Sequence, residues 1–257
     1  MTDPVLGFTY DASVLPPADP PASSVERVLW RYQRALPEFV WDAAQLEGNP
    51  FTYPDVLTLM DGVTVGGHKL SDEAQVRGLI DSSRLLVSLV KSGAFALDKT
   101  TSHTIHAVLA RDEAFDAGLF RGEGQETTTP SVYLGEHGRH IPPLTEAGAA
   151  NLTTLYAAGL EAIAATPTVT GQARLYFLFA ALHQFYFDGN KRTGRAMMNG
   201  HLLSHGLDAL SIPAAARHTF NATMVGFYRT KDATAMLGFL ATTAQRAAED
   251  PRPAHDR

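Results

Sequence analysis

Residues 183–195 read His-Gln-Phe-Tyr-Phe-Asp-Gly-Asn-Lys-Arg-Thr-Gly-Arg. They lie between an almost wholly apolar run, residues 175–182, and a largely apolar one, residues 196–203. Both runs have helical spacing and are expected to be buried. A polar loop bearing Asp188, Asn190, Lys191, Arg192 and Arg195 is then held between two core helices. Charge is costly there unless a ligand or partner compensates it.

The chemistry of the loop suits a phosphate. Gly189 lets the chain approach a ligand closely, and residues 190–193 open a helix whose first backbone N–H groups are free. Arg192 and Arg195 are three apart, so both can project to one side of the first turn and grip an anion in bidentate fashion. Asp188 is a hard oxygen ligand beside that anion, which suits magnesium bridging protein and phosphate. His183, at the other end of the loop, titrates near neutrality and suits proton abstraction. Taken singly, each residue also fits a capped helix with basic side chains in solvent. Their coincidence between two apolar helices is what points to a ligand.

Outward from the loop the period stays helical. Apolar residues recur at three and four over residues 23–36, with Ser23 or Ser24 as N-cap, and again over 39–46 up to Gly48-Asn49-Pro50. Further helices are expected over residues 52–60, 71–90, 101–109, 145–164, 173–182, 193–204, 215–228 and 233–244. The glycine-rich residues 118–143 break the pattern, and a short hairpin fits residues 131–135. The expected fold is all-α with a small β-hairpin insertion and no βαβ alternation. Residues 1–22, with five prolines and no periodicity, read as an extended arm that either packs or stays mobile. Residues 249–257 read as a disordered tail.

Composition narrows the class. The 257 residues carry 21 Lys+Arg against 27 Asp+Glu, a formal charge of −6, which argues against broad nucleic-acid binding. The absence of cysteine excludes disulfides, Cys-ligated metal and a Cys nucleophile, and fits a reducing compartment. No apolar run approaches the roughly 20 residues a membrane span needs, and the N-terminus does not resemble a signal peptide. A soluble, cytoplasmic protein is expected, with no membrane and no nucleic-acid partner.

Asp188-Gly-Asn-Lys-Arg-Thr-Gly-Arg195 resembles the signature of Fic-domain proteins, His-Pro-Phe-x-Asp/Glu-Gly-Asn-Gly/Lys-Arg-x-x-Arg. Ala117-Gly-Leu-Phe-Arg121 resembles the family's Pro-Gly-x-Tyr-Arg step, and residues 131–143 its target-docking flap. The resemblance spans about residues 30–245 and implies a Fic-like helical bundle, with residues 71–248 as its core and 23–70 as an N-terminal helical region. It further implies transfer of AMP from ATP to a Ser, Thr or Tyr hydroxyl of a target protein docked on the flap near Tyr133. By that resemblance His183 is the catalytic base and Asp188 holds Mg2+. Gly189, Asn190, Lys191 and Arg192 cradle the phosphates, and Arg195 clamps the γ-phosphate.

Two features bear on that assignment. His183 lies five residues before Asp188, where the family pattern has four, so either His183 or Gln184 occupies the catalytic slot. Gln cannot act as a general base, and loss of a well-placed one costs roughly 10²–10⁴-fold in rate. Lys191, where AMP-transferring members usually have Gly, resembles the Doc branch, which transfers phosphate. Three readings therefore stand: AMP transfer, transfer of phosphate or use of another phosphate donor, and nucleotide binding without catalysis. Upstream, Leu46-Glu47-Gly48-Asn49-Pro50 resembles the end of the family's inhibitory helix, with Ala43 in place of the usual Ser/Thr. The resemblance implies that Glu47 pairs with Arg195 and autoinhibits the site. A homo-oligomer is compatible with the sequence.

Other signals are read as structural. His201 and His205 have the i, i+4 spacing of a metal pair but lack the following Glu of a zinc protease. His103 and His106 fit a helix packed on the core, Gly66-Gly67 a turn, and Trp30 and Trp41 the core or an interface.

Overall fold

The computed structural model describes residues 2–249. Ten α-helices, three single-turn 3-10 helices and two short hairpins make up the regular structure of these residues. The helices are α1 (Val25–Arg34), α2 (Leu36–Leu46), α3 (Tyr53–Met60), α4 (Leu70–Lys91), α5 (Lys99–Leu109), α6 (Ala150–Ala164), α7 (Val169–His183), α8 (Asn190–Ser204), α9 (Arg217–Thr230) and α10 (Thr234–Glu249). One hairpin pairs β1 (Thr2–Asp3) with β2 (Phe8–Thr9), and the other pairs β3 (Val132–Tyr133) with β4 (Arg139–His140), both antiparallel. The all-α expectation and the hairpin insertion are met. No helix among the described residues is long and apolar enough to cross a membrane.

α7 is the centre of the molecule. Every residue from Ala173 to His183 is buried, as an all-round apolar helix requires. α8 packs most extensively on α7, while α4 and α5 cover the other side of α8 and α2 lies on α4. This layering puts the turn between α7 and α8 under the ends of α2 and α5.

Local chemistry fixes several helix starts. Ser24 accepts from the Arg27 N–H at 3.3 Å, and Thr52 and Asp55 form a reciprocal capping box. α6 starts at Ala150, not at Thr145. Thr145 instead takes a bond from Arg121 and gives one to the Thr128 carbonyl, so the preceding residues stay in the loop.

The N-terminal segment packs against the body. Leu6, Phe8 and Tyr10 are buried while their neighbours are not, so the segment has the period of two of an extended strand. Thr9 forms a parallel bridge to Asp232, donating to the Lys231 carbonyl and accepting from the Ala233 N–H, each at 2.8 Å. Phe8 meets Phe227 edge-on at 5.4 Å. Farther along, the Asp19 carboxylate accepts from the N–H groups of Val169 and Thr170 and from the Thr170 hydroxyl, capping α7. Of the tail expected at 249–257, Glu249 is the last residue of α10, and residues 250–257 lie outside the described residues.

Candidate anion site

The turn from α7 to α8 is held by buried side chains. Arg121, 1% exposed, donates to the carbonyls of Gln184 (2.6 Å), His183 (3.2 Å) and Pro143 (2.7 Å) and to the Thr145 hydroxyl (2.6 Å). A cation at a helix C-terminus meets the last carbonyls favourably. No carboxylate among the described residues pairs with it, and burial lowers the Arg121 pKa to about 10. Gln184 then turns left-handed, at φ 48°.

Asn190 staples the loop from within. Its amide oxygen accepts from the Tyr186 N–H (2.9 Å), and its amide nitrogen donates to the Tyr186 carbonyl (2.8 Å) and Gln184 Oε1 (3.0 Å). Asn190 therefore shapes the cradle with its side chain and offers a ligand its backbone. His106 braces the loop from behind. Its Nδ1 accepts from the Gly118 N–H at 2.9 Å, so Nε2 carries the proton and donates to the Asp188 carbonyl at 3.0 Å. The ring stacks on Tyr186 at 3.7 Å and 6°, and burial lowers its pKa to about 4.

α8 opens at Gly189, φ +72°, with no side chain capping its first turn. Uncapped N–H groups there are free for an anion. Around this start three cations converge. Arg195 Nη2 lies 3.0 Å from Glu47 Oε1, and Lys191 Nζ lies 3.1 Å from Glu47 Oε2. Burial opposes a charge on Glu47, yet Lys191, Arg195 and Arg192 outweigh it and hold the carboxyl at about 2. Arg192 Nη1 pairs with Glu113 Oε1, a partner that no spacing in the sequence suggested. Burial opposes the Arg192 cation too, but Glu113 and the more distant Glu47 raise its pKa. Arg195 Nη1 is buried without a hydrogen-bond partner. Lys191 and Arg195 thus share Glu47, while Arg192 faces Glu113 and, farther off, Asp188.

Asp188 sits at the mouth, its side chain 59% exposed. Its Oδ1 accepts from the Gly189 N–H at 2.6 Å and lies 3.9 Å from Arg192 Nη2. A single exposed carboxylate fits a magnesium ion, which binds through one or two carboxylates and otherwise keeps water and phosphate oxygens. Among the described residues no cluster of three His, Asp or Glu could cage a metal alone. His201 in particular bonds Gln172 Oε1, and His205 bonds the His201 carbonyl.

His183 stands apart from this group. Its Nε2 donates to the Leu6 carbonyl at 2.9 Å, and its ring packs against Phe179 and Phe185. Gly7, at φ +75°, lies over the imidazole so closely that a Cβ would stand 2.9 Å from Cε1. The ring is 7% exposed, burial lowers its pKa to about 4, and Nδ1 has no partner. The neighbouring side chain that reaches the anion loop is Gln184, bonded to Asn190 and to the Ala181 carbonyl (2.6 Å). The flap is tied to the same corner, since His140 Nε2 donates to the Leu182 carbonyl at 2.7 Å while Tyr133 stays 71% exposed.

Solved structures with this arrangement of helices are Fic proteins. A Fic family protein from Desulfovibrio desulfuricans superposes with a TM-score of 0.67 at 18% identity, over 88% of this chain and 70% of that one. A Fic-domain-containing signaling protein from Bacteroides thetaiotaomicron gives 0.66 at 19% identity, over 92% of both chains. Residues 134–508 of Fic-1 from Caenorhabditis elegans give 0.64 at 15% identity, over 90% of this chain and 65% of that one. The chain has the Fic fold. No family model and no curated protein matches its sequence. Within the Fic fold, the residues that sequence reasoning did not find are Glu113 and the arm over His183. Glu113 has no local motif, but the alternation of Leu6, Phe8 and Tyr10 was a usable signal for the arm.

Proposed function

We propose that this protein binds the phosphate tail of a nucleoside triphosphate at the start of α8, and that Glu47 restrains that binding in the empty state. Lys191 and Arg195 release Glu47 and take phosphate oxygens, Arg192 contributes its free edge, and Asp188 holds Mg2+ against the same phosphates. The metal supplies charge neutralisation between phosphate and protein. In this reading the protein is a nucleotide-responsive module and not an AMP transferase. The observation that carries it is the His183–Leu6 bond of 2.9 Å beneath Gly7, with Gln184 in turn facing Asn190. With the Nε2 proton given to Leu6, Nδ1 is the nitrogen left to accept one, and it is buried, so a target hydroxyl does not come within hydrogen-bond reach of it.

A second reading, AMP transfer to a target hydroxyl presented on the flap near Tyr133, is favoured by one observation. His183 Nδ1 is buried with no partner, which is unusual for a ring with a purely structural role. Transfer would require residues 4–10 to lift away. ATP labelled at the α- or γ-phosphate separates the readings. Nucleotide binding by calorimetry with no label on this protein or on lysate proteins is the expected result. Covalent α-label that disappears in His183→Ala would establish AMP transfer, and γ-label would establish phosphate transfer.

A further inference from the structure

Arg192 and Arg195 each meet a glutamate, but the two pairs are built differently. Glu47 follows the last residue of α2, and its carboxylate pairs with the two cations Lys191 and Arg195. Such a pairing of charges can be exchanged for phosphate, which offers the same two cations the same kind of partner. Glu113 instead ends a chain of amides. Its Oε2 accepts from Gln75 Nε2 at 3.0 Å, and Gln75 Oε1 accepts from Asn49 Nδ2 at 3.1 Å. Asn49, 5% exposed, also donates to the Asp72 carbonyl (2.9 Å) and accepts from the Phe51 N–H (3.1 Å). Glu113 is therefore fixed through α4 to the turn between α2 and α3.

The fixed carboxylate sets the direction of the guanidinium. Arg192, its side chain 4% exposed, gives Nη1 to Glu113, which leaves Nη2 on the side of Asp188, 3.9 Å from Oδ1. The free edge of Arg192 thus faces the place where a phosphate on an Asp188-bound metal would lie. We infer that Glu113 is a positioning residue, which aims Arg192 at a metal-bound phosphate, whereas Glu47 competes with phosphate for Arg195. The inference rests on the nucleotide-binding reading and predicts that removing the two glutamates has opposite effects.

Calorimetry of MgATP binding to the full chain tests it. Glu47→Gly is expected to tighten binding. Glu113→Gln in the Glu47→Gly background is expected to weaken it by about tenfold or more, the usual scale for loss of an orienting partner. Gln75→Leu keeps both charges and removes only the support of Glu113, and is expected to weaken binding about threefold. A merely structural Glu113 would lower the melting temperature and leave the affinity of the folded protein unchanged. If Glu113→Gln fails to fold, Gln75→Leu decides the matter. Affinity within twofold of the background in the variants that fold, or tightening of the kind seen with Glu47→Gly, overturns the positioning role. Absence of binding in the Glu47→Gly protein itself overturns the nucleotide reading, and this inference with it.

Discussion

The two ends of one short loop are built to opposite ends. At the α8 end, three cations are met by two glutamates distant in sequence, Glu47 in an exchangeable pair with Lys191 and Arg195 and Glu113 in a fixed one with Arg192. At the α7 end, an imidazole is taken out of reach by a backbone carbonyl and a glycine from the first ten residues. Anion binding tolerates such variation better than proton transfer does. A phosphate can be held by any convergent set of N–H groups, whereas a general base must stand within hydrogen-bond reach of one proton.

Acid titration gives the largest effect and separates the buried imidazoles, His183 among them, from the Glu47 ion pair. His106, His183 and His201 each have a folded-state pKa of about 4, lowered first by burial. The unfolded chain binds their protons near pH 6.5, so stability is full above that value and falls as the pH drops toward 4. A loss of several kcal/mol, on the order of 3 per ring at most, is expected over that window. Glu47 acts lower down, its contribution being present above about 4.5 and lost as the pH falls toward 2. Urea unfolding at stepped pH should resolve an upper and a lower phase. His183→Gln should shrink only the upper one, and a change in the lower would show that His183 and Glu47 are coupled.

Gly7→Ala comes next in size. The left-handed backbone and the 2.9 Å approach to the imidazole together should cost about 2 kcal/mol, read as a lower urea midpoint with unchanged slope. Glu47→Gly should tighten MgATP binding about tenfold, or ~1.4 kcal/mol. The smallest effect is the sharpest for the comparison. His183→Gln should leave MgATP affinity within twofold of the parent, and a larger change would place the imidazole at the ligand.

Much of this was legible before any coordinates. The capped, periodic helices and the polar turn between two buried ones follow from local pattern, and so does the choice of Asp188, Lys191, Arg192 and Arg195. The offset of His183 against Asp188 is also visible there, but not which of His183 and Gln184 turns toward the loop, because the partner of His183 lies 177 residues away in sequence. The Glu113–Arg192 pair was hidden for the same reason, since a contact spanning 79 residues leaves no periodic trace. Asn190 was assigned to the ligand by type, and the structure uses its side chain within the loop.

The N-terminal arm touches α7 at both extremities, with Asp19 over its first N–H groups and Leu6 over His183. A single protease nick in the intervening stretch, say near Pro16-Pro17, would cut that brace without removing either contact. Release of the short fragment in a nicked sample would then measure how firmly the histidine end is clasped, with the start of the helix still in its cap.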